Sequence, residues 1–185
     1  GEVRCFDPVE NQHRHHILDL TIAPATLSAD LCAQAVAIAT RIVEAFDYVG
    51  IMGVEFFLQA DGVILVNEMA PRPHNSGHHT IDACETSQFE QQLRAVCGLP
   101  LGSTRLLTPA VMLNLLGDMW PAVEQAPDWS GILNDASAAL HLYGKKRAIQ
   151  RRKMGHATFL GADALPRAQQ ARQVLLAGGR DDSSL

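Results

Sequence analysis

The sequence predicts an α+β fold, in which antiparallel strand pairs and separate helices follow one another along the chain. The strongest observation is a hairpin signal: two apolar runs, 54–58 and 63–66, flank Asp61-Gly62, a dipeptide typical of tight turns. A second observation is a segment after Ser28 with apolar residues at helical spacing. Together these observations favour a sheet with helices packed beside it.

Before the hairpin we expect one strand and one helix. Residues 2–7 are predicted to form a strand, and extended chain follows to residue 23. Ser28 is a candidate helix N-cap, and the pattern after it indicates a helix that ends near Phe46. The residues that carry this helical spacing are Leu31, Ala35, Ile38, Ile42 and Ala45.

After the hairpin the sequence predicts a helix and then a smaller β-rich region. Thr86 or Ser87 is expected to cap the helix, which ends at Gly98 because glycine favours the left-handed conformation of a helix C-terminus. Later strands are predicted at 109–116, 139–143 and 156–160, and the final helix at 162–177. Residues 178–185 are predicted to form a disordered tail.

The hairpin places two carboxylates in a specific relation. If Asp61 and Gly62 form a two-residue loop, Glu55 lies directly opposite Glu68, with Cβ atoms about 4.5–5.5 Å apart. The flanking residues are apolar, so we expect the pair to be half buried and to need a cation or a shared proton. The alternatives are that both carboxylates are solvated on an exposed face, or that a longer loop breaks the register.

The run that follows the second glutamate, 69–80, has a composition typical of an anion site beside a hard cation. Mg²⁺ takes carboxylates and substrate phosphates as ligands, and the planar guanidinium of Arg72 suits carboxylate or phosphate. His74, His78 and His79 also raise the question of zinc. Their spacing lacks a cysteine or acidic partner, which favours anion contact or packing instead.

A resemblance makes these inferences more specific. The twelve residues 67–78, Asn-Glu-Met-Ala-Pro-Arg-Pro-His-Asn-Ser-Gly-His, resemble the signature of 5-(carboxyamino)imidazole ribonucleotide synthases, which are ATP-grasp ligases of purine biosynthesis. The similarity extends to about residue 177. Further matching segments lie at 8–13, 18–24, 87–90, 111–117, 142–145 and 152–156.

The resemblance implies a domain organisation. Residues 1–100 are expected to be the C-terminal part of an ATP-grasp domain (an antiparallel sheet with helices), and residues 101–177 a small C-terminal β-rich domain. The resemblance also implies that a nucleotide-fold domain and the lysines that reach the ATP phosphates lie upstream of Gly1. The chain alone is therefore expected to be an inactive portion of a longer enzyme, which the family implies is a cytoplasmic homodimer.

The implied reaction is the ATP-dependent carboxylation of 5-aminoimidazole ribonucleotide with bicarbonate. It proceeds through carboxyphosphate and gives 5-(carboxyamino)imidazole ribonucleotide, ADP and phosphate. The cofactors would be ATP and Mg²⁺, with the metal on Glu55 and Glu68. The other implied roles are nucleotide contact by His13, Asn67 and Glu68, orientation of bicarbonate and carboxyphosphate by Arg72, His74, Asn75 and Ser76, and binding of the substrate 5′-phosphate by Lys145 and Arg152.

One departure and two alternatives remain. Members of the family usually carry Arg-Pro-Gly where this chain has Ile149-Gln150-Arg151, which leaves the loop conformation open. The nearer alternative is the formate-dependent glycinamide ribonucleotide transformylase, where we expect Asp-Thr-Gly-Met in place of residues 75–78, Asn-Ser-Gly-His. The farther alternative is a non-catalytic truncated module that acts by association.

Bulk properties narrow the partners. A net charge of −5 gives no reason to expect nucleic acid or an anionic membrane surface as a partner. No apolar run approaches the about 18 residues that a membrane-spanning helix needs. The four cysteines show no C-x-x-C spacing, which favours free thiols over a disulfide framework.

Overall fold

The computed structural model describes residues 1–179 and divides the chain into two compact units. The first unit comprises Gly1–Glu10 and Ala23–Leu107, and the second comprises Asn11–Ile22 and the chain from Thr108 onward. This division differs from the predicted boundary at residue 100, because Asn11–Ile22 belongs to the second unit. The two strands of this early segment lie in the same sheet as strands of the later chain, and no local pattern in the sequence shows a pairing between such distant residues.

The structure confirms the α+β class, with antiparallel strand pairs and five α-helices among the described residues. Single 3₁₀ turns at Asn75–Gly77 and Gly117–Met119 supplement these elements. None of the helices in residues 1–179 is long and apolar enough to cross a membrane. In chain order the elements are β1 (Glu10–Arg14), β2 (Ile17–Ala23), α1 (Ala29–Ala45), β3 (Gly53–Leu58), β4 (Ile64–Ala70), α2 (Thr80–Ala83), α3 (Gln88–Val96), β5 (Ala110–Leu116), α4 (Ser130–Leu133), β6 (Ala138–Leu142), β7 (Lys153–Leu160) and α5 (Ala164–Gly178).

The two helices predicted for the first unit are confirmed together with their caps. The Ser28 hydroxyl accepts a hydrogen bond from the Leu31 amide at 3.3 Å, and the Ser87 hydroxyl accepts one from the Glu90 amide at 3.1 Å. Each bond satisfies one of the amides that a helix N-terminus leaves without an intrahelical partner. Gly98, with φ +66°, follows the end of α3 in the left-handed region, as expected for a helix C-terminus.

The strand predicted for residues 2–7 is wrong, because this segment is irregular. Its polar groups bond to side chains and loops instead of to a neighbouring strand. Thr104 Oγ1 donates to the Cys5 carbonyl at 2.8 Å, and the Arg4 guanidinium donates to the Gly102 carbonyl at 3.1 Å. The first bond satisfies a backbone carbonyl of the segment without forming a sheet.

The β3–β4 hairpin has the predicted carboxylate pairing but not the predicted loop. Gln59 accepts from Gly62 at 3.0 Å and donates to the Val63 carbonyl at 2.9 Å, so the loop contains three residues, not two. Partners near the loop are therefore shifted by one position. A bulge at Asn67 then inserts one extra residue and restores the register, so that Glu55 lies opposite Glu68.

The second unit contains a five-stranded sheet in the order β1-β2-β5-β7-β6. The predicted strands in the later chain are confirmed, and β1 and β2 extend the sheet with residues predicted only as extended chain. Arg172 on α5 bonds Asp19 on β2 at 2.9 Å, which joins the early segment to this unit. One face of the sheet packs against α5 in a core that includes Leu113, Leu115, Ala157, Phe159, Ala164, Ala168, Ala171 and Leu175.

The final helix ends at Gly178, which belongs to α5 and not to the predicted tail. Residues 180–185 of that predicted tail lie outside the described residues. The four cysteines are free thiols.

The loop between β6 and β7 adopts the turn that the departure at residues 149–151 left open. Arg151 has φ +62°, in the left-handed region, at the position where the resembling family carries glycine. Its amide donates to the Asp118 carboxylate at 2.6 Å, and the amide of buried Ala148 donates to the Val123 carbonyl at 2.9 Å. These bonds keep a non-glycine residue in a conformation that costs about 1–2 kcal/mol.

Replacing Arg151 by glycine is therefore expected to stabilise the protein. Arg151→Gly should raise the free energy of unfolding by about 0.5–1 kcal/mol, since relief of the left-handed conformation outweighs the entropy that glycine loses. The matched control in the same loop is Gly144, with φ +67° and open space where a Cβ would lie. Gly144→Ala should lower the free energy of unfolding by about 1 kcal/mol. Denaturant unfolding of both variants measures whether the free energy of unfolding rises or falls in each. Destabilisation by Arg151→Gly would contradict the prediction.

Candidate active site

The first unit brings two carboxylates together across the hairpin. Glu55 on β3 is the direct partner of Glu68 on β4. The Glu55 side chain is 15% exposed and the Glu68 side chain 58% exposed. The expectation of a half-buried pair therefore fits Glu55 better than Glu68. One carboxylate of the pair is open to solvent and to a ligand, while the other is enclosed by the protein.

His74 lies beside both carboxylates. Its Nδ1 is 3.7 Å from a Glu55 oxygen and its Nε2 is 3.8 Å from a Glu68 oxygen, while the ring itself is 12% exposed. Nδ1 also forms a hydrogen bond of 2.8 Å with the Ser76 hydroxyl. The distances to the carboxylates are too long for hydrogen bonds, so the imidazole lies next to the pair without a direct hydrogen bond to either carboxylate.

The chain reaches this position through a short turn after β4. The Arg72 amide donates to the Ala70 carbonyl at 2.8 Å across Pro71, and the backbone is extended again at His74, with φ −115° and ψ 152°. His74 packs directly on Gly53 at the start of β3. A Cβ at Gly53 would lie 2.8 Å from the His74 Cβ, so only glycine allows this approach.

The three side chains have the composition of a cation site. The ligand atoms of Glu55, Glu68 and His74 all lie within 4.8 Å of one another. Two ligands of one Mg²⁺ lie at most about 4.2 Å apart, because each bond is about 2.1 Å long. Small side-chain movements would therefore allow one ion to contact both carboxylates. The donor set, dominated by carboxylate oxygen, fits Mg²⁺ or Mn²⁺ better than a softer metal.

The other predicted anion contacts lie in the same segment as His74. Asn75 is 7% exposed, and its Nδ2 has no hydrogen-bond partner among the described residues. Arg72 is exposed, and its guanidinium donates to the neighbouring Pro73 carbonyl at 3.0 Å. Asn67 is the exposed extra residue of the bulge, next to Glu68. The exposed guanidinium is open to an anion, and the buried Asn75 Nδ2 is a donor without a partner among the described residues.

The remaining two histidines of the run have packing roles. His79 is 3% exposed, its Nδ1 bonds the Ser76 carbonyl at 3.0 Å, and burial lowers the pKa of its imidazole. His78 stacks on Phe89 with ring centroids 5.5 Å apart. A cavity of about 120 Å³ borders His74, Ser76 and His79. The structure gives these histidines neighbours that favour packing over a zinc site.

The predicted phosphate ligands lie in the loop of the second unit. Lys145 and Arg152 are both exposed. Lys145 donates to the carbonyl of Lys153 at the start of β7, and Arg152 donates to the carbonyl of Arg147 in the loop. The Lys145 ammonium also lies 5.6 Å from the centre of the Tyr143 ring, and burial raises the pKa of that phenol to about 12. The loop therefore presents both predicted phosphate ligands at its surface, together with the exposed Lys146, Arg147 and Arg151. His13, the predicted nucleotide contact, is exposed on β1 of the same unit.

Sequence reasoning missed two features of the site. It assigned His74 to the anion group and the glutamates to the metal, but the structure places all three together. It also missed Gln88, which bonds the His74 backbone at both its amide and its carbonyl. The sequence placed Gln88 just after a predicted helix cap and within the matching segment 87–90, and neither observation indicates a contact fourteen residues away.

Comparison with known proteins identifies two family models within the chain. Residues 1–89 match the ATP-grasp domain, and residues 110–170 match the phosphoribosylaminoimidazole carboxylase C-terminal domain. The two matches follow one another in the order that the sequence resemblance predicts.

The curated relatives are named either as N5-carboxyaminoimidazole ribonucleotide synthases or as phosphoribosylaminoimidazole carboxylases. The N5-carboxyaminoimidazole ribonucleotide synthase of Bacillus subtilis is 49% identical over 160 residues, which cover 86% of this chain and 41% of that protein. The phosphoribosylaminoimidazole carboxylase of Schizosaccharomyces pombe is 41% identical over 187 residues, which cover 95% of this chain and 33% of that protein. The chain thus spans less than half the length of these relatives.

Solved structures agree in fold. The N5-carboxyaminoimidazole ribonucleotide synthetase of Thermotoga maritima superposes with a TM-score of 0.83 at 46% identity, covering 94% of this chain and 48% of that one. The N5-carboxyaminoimidazole synthase of Aspergillus clavatus, in complex with ADP and 5-aminoimidazole ribonucleotide, superposes with a TM-score of 0.80 at 37% identity. This match covers 90% of this chain and 46% of that one. These matches confirm the predicted ATP-grasp and C-terminal folds. The chain belongs to the N5-carboxyaminoimidazole ribonucleotide synthase family, of which it carries a segment of the ATP-grasp domain followed by the C-terminal domain.

Proposed function

We propose that the intact protein carboxylates 5-aminoimidazole ribonucleotide with bicarbonate at the expense of ATP. The products are 5-(carboxyamino)imidazole ribonucleotide, ADP and phosphate. The observation that carries the proposal is the cluster of Glu55, Glu68 and His74, two carboxylates and an imidazole within 4.8 Å, in a segment that matches the ATP-grasp domain. The names of the relatives supply the substrate class.

Glu55 and Glu68 are the proposed ligands of Mg²⁺. When bound there, Mg²⁺ supplies positive charge to the β- and γ-phosphates of ATP. Glu68 is the more exposed carboxylate, so a metal nucleotide entering from solvent would contact it first. Glu55 is enclosed by the protein and has less freedom to move. Asn67 beside Glu68 and His13 in the second unit are the proposed nucleotide contacts.

Arg72, His74, Asn75 and Ser76 are the proposed ligands of bicarbonate and then of carboxyphosphate. The Ser76 hydroxyl fixes the His74 ring through their 2.8 Å bond, so the imidazole stays directed at the anion. The buried Asn75 amide without a partner gains a hydrogen bond when an anion oxygen reaches it, and an unmade bond of this kind is costly. Arg72 adds a positive charge at the exposed side of the site.

Lys145 and Arg152 are the proposed contacts of the ribonucleotide 5′-phosphate. Both are exposed cations on one loop, and a phosphate would replace the loop carbonyls that they now contact. Arg151 has φ +62°, a left-handed conformation that glycine adopts readily, at the position where the resembling family carries glycine. This supports the assignment of Arg152 despite the changed residues before it.

The remaining parts of the proposal rest on the family resemblance. We propose a cytoplasmic homodimer acting on small-molecule substrates, with an ATP-grasp part over residues 1–100 and a C-terminal domain over residues 101–177. The formate-dependent transformylase fits less well, because residues 75–78 are Asn-Ser-Gly-His and the relatives are carboxylating enzymes by name. A non-catalytic module fits less well because it gives no reason for two opposed carboxylates beside a histidine.

The metal assignment predicts a specific loss on removing one charge. Glu68→Gln in the intact protein should lower ATP turnover by about a hundredfold or more, since it removes a charge that acts on the transferring phosphoryl group. It should also weaken Mn²⁺ binding, measured by electron paramagnetic resonance. Glu44→Gln on exposed α1 is the matched charge control and should change neither quantity. Normal turnover and normal metal dependence in Glu68→Gln would refute the assignment.

The phosphate assignment predicts an effect on one substrate only. Arg152→Ala removes a charge-assisted contact worth about 1.5–3 kcal/mol, so the KM for 5-aminoimidazole ribonucleotide should rise roughly ten- to a hundredfold. The KM for ATP should stay within about twofold of its normal value, because the loss is confined to the ribonucleotide phosphate.

The neighbouring Arg151→Ala is the control for this measurement, because it removes an equal charge from the same loop. Its effect on the ribonucleotide KM should be much smaller. If Arg151→Ala raises that KM and Arg152→Ala does not, the assignment is displaced by one residue.

A further inference from the structure

Gln88 holds the backbone of His74 with a matched pair of amide hydrogen bonds. The His74 amide donates to Gln88 Oε1 at 2.8 Å, and Gln88 Nε2 donates to the His74 carbonyl at 2.7 Å. Nε2 also bonds Nδ1 of His78 at 2.8 Å, so both of its donors are used. Gln88 is 3% exposed, and water does not compete for these bonds.

The position of Gln88 is itself fixed at the start of α3. Its own amide is one of the first in the helix and has no intrahelical partner. It donates instead to Thr80 Oγ1 at 2.9 Å, and the same hydroxyl donates to the Gly77 carbonyl at 2.6 Å. Thr80 is 1% exposed, so the chain of bonds from α3 to the His74 segment is buried.

Two glycines make room for this arrangement. A Cβ at Gly77 would lie 2.5 Å from Gln88 Oε1, and a Cβ at Gly53 would lie 2.8 Å from the His74 Cβ. His74 is therefore enclosed by β3 on one side and by the Gln88 amide on the other. With its amide and its carbonyl both bonded, the His74 backbone has little freedom to rotate, and the imidazole stays beside Glu55 and Glu68.

We propose that Gln88 is a positioning residue that acts through His74. Its side chain bonds His74 and His78 and neither carboxylate, but it sets the distance between the imidazole and the Glu55–Glu68 pair. The proposal rests on the proposed function, in which His74 orients bicarbonate beside the metal. Residues that hold a functional group from behind commonly change activity or affinity by about ten- to a hundredfold when they are replaced.

The same helix offers a matched control, because Gln91 makes the same pair of bonds with a different residue. Gln91 Nε2 donates to the Gly102 carbonyl at 2.7 Å, and the Gly102 amide donates to Gln91 Oε1 at 3.1 Å. Gln91 is 5% exposed, so its burial also matches. A variant at Gln91 loses a comparable buried amide without disturbing His74.

Amide hydrogen exchange tests the positioning directly and needs no ligand. In Gln88→Leu the His74 amide should exchange about tenfold faster, the factor expected for the loss of one hydrogen bond. In Gln91→Leu the Gly102 amide should exchange faster and the His74 amide should not. Pro71 and Pro73 have no amide hydrogen, so few signals overlap with His74 in this segment. Unchanged exchange at His74 in Gln88→Leu overturns the proposal.

Kinetics of the intact protein test the functional consequence. Gln88→Leu should raise the KM for bicarbonate about ten- to a hundredfold, whereas Gln91→Leu, with a similar loss of thermal stability, should leave it within about twofold. In a His74→Ala background, Gln88→Leu should add nothing further, because coupled residues are not additive. Gln88→Glu keeps an acceptor for the His74 amide and should recover part of the activity, and it serves if Gln88→Leu does not fold.

The outcomes separate the two proposals. If His74→Ala has a normal KM for bicarbonate, the role of His74 in the proposed function fails and Gln88 is a structural residue only. If His74→Ala is impaired but Gln88→Leu behaves like Gln91→Leu, or if the two variants add fully, the proposed function stands and the positioning role of Gln88 is overturned.

Discussion

The opposition of two like charges across the β3–β4 hairpin is the constraint on which the rest of the first unit depends. Glu55 and Glu68 lie on directly paired positions, where like charges repel. A structure that retains such a pair needs a compensating group, and the unit supplies an imidazole beside it. The turn after β4, Gly53 under the ring and the buried amide of Gln88 all serve to bring His74 to that position.

The sequence predicted the elements whose causes are local and missed those whose causes are distant. Ser28 and Ser87 cap their helices as expected, because a hydroxyl at that position bonds an amide three residues away. The strand predicted for residues 2–7 failed because the Cys5 carbonyl and the Arg4 side chain bond to residues about a hundred positions later. The inclusion of residues 11–22 in the second sheet has the same kind of distant cause.

The sequence predicted the Glu55–Glu68 pairing but not the geometry around it. The pairing of Glu55 with Glu68 came from counting residues across a turn, and it is right although the counted turn is wrong. Gln88 lies in the matching segment 87–90, but its contact with His74 was not predictable, because a side chain that bonds a backbone produces neither periodicity nor a charge cluster. Buried polar side chains of this kind determine the position of a functional group, and they become visible only in a three-dimensional structure.

The bulge at Asn67 gives the hairpin two independent registers. Pairing from Phe56 to the tip follows the loop, whereas pairing from Glu55 to Gly53 follows the other side of the extra residue. The extra residue cancels the one-residue shift that the three-residue loop introduces. The carboxylates at the base therefore face each other only while the length of the loop and the bulge stay matched.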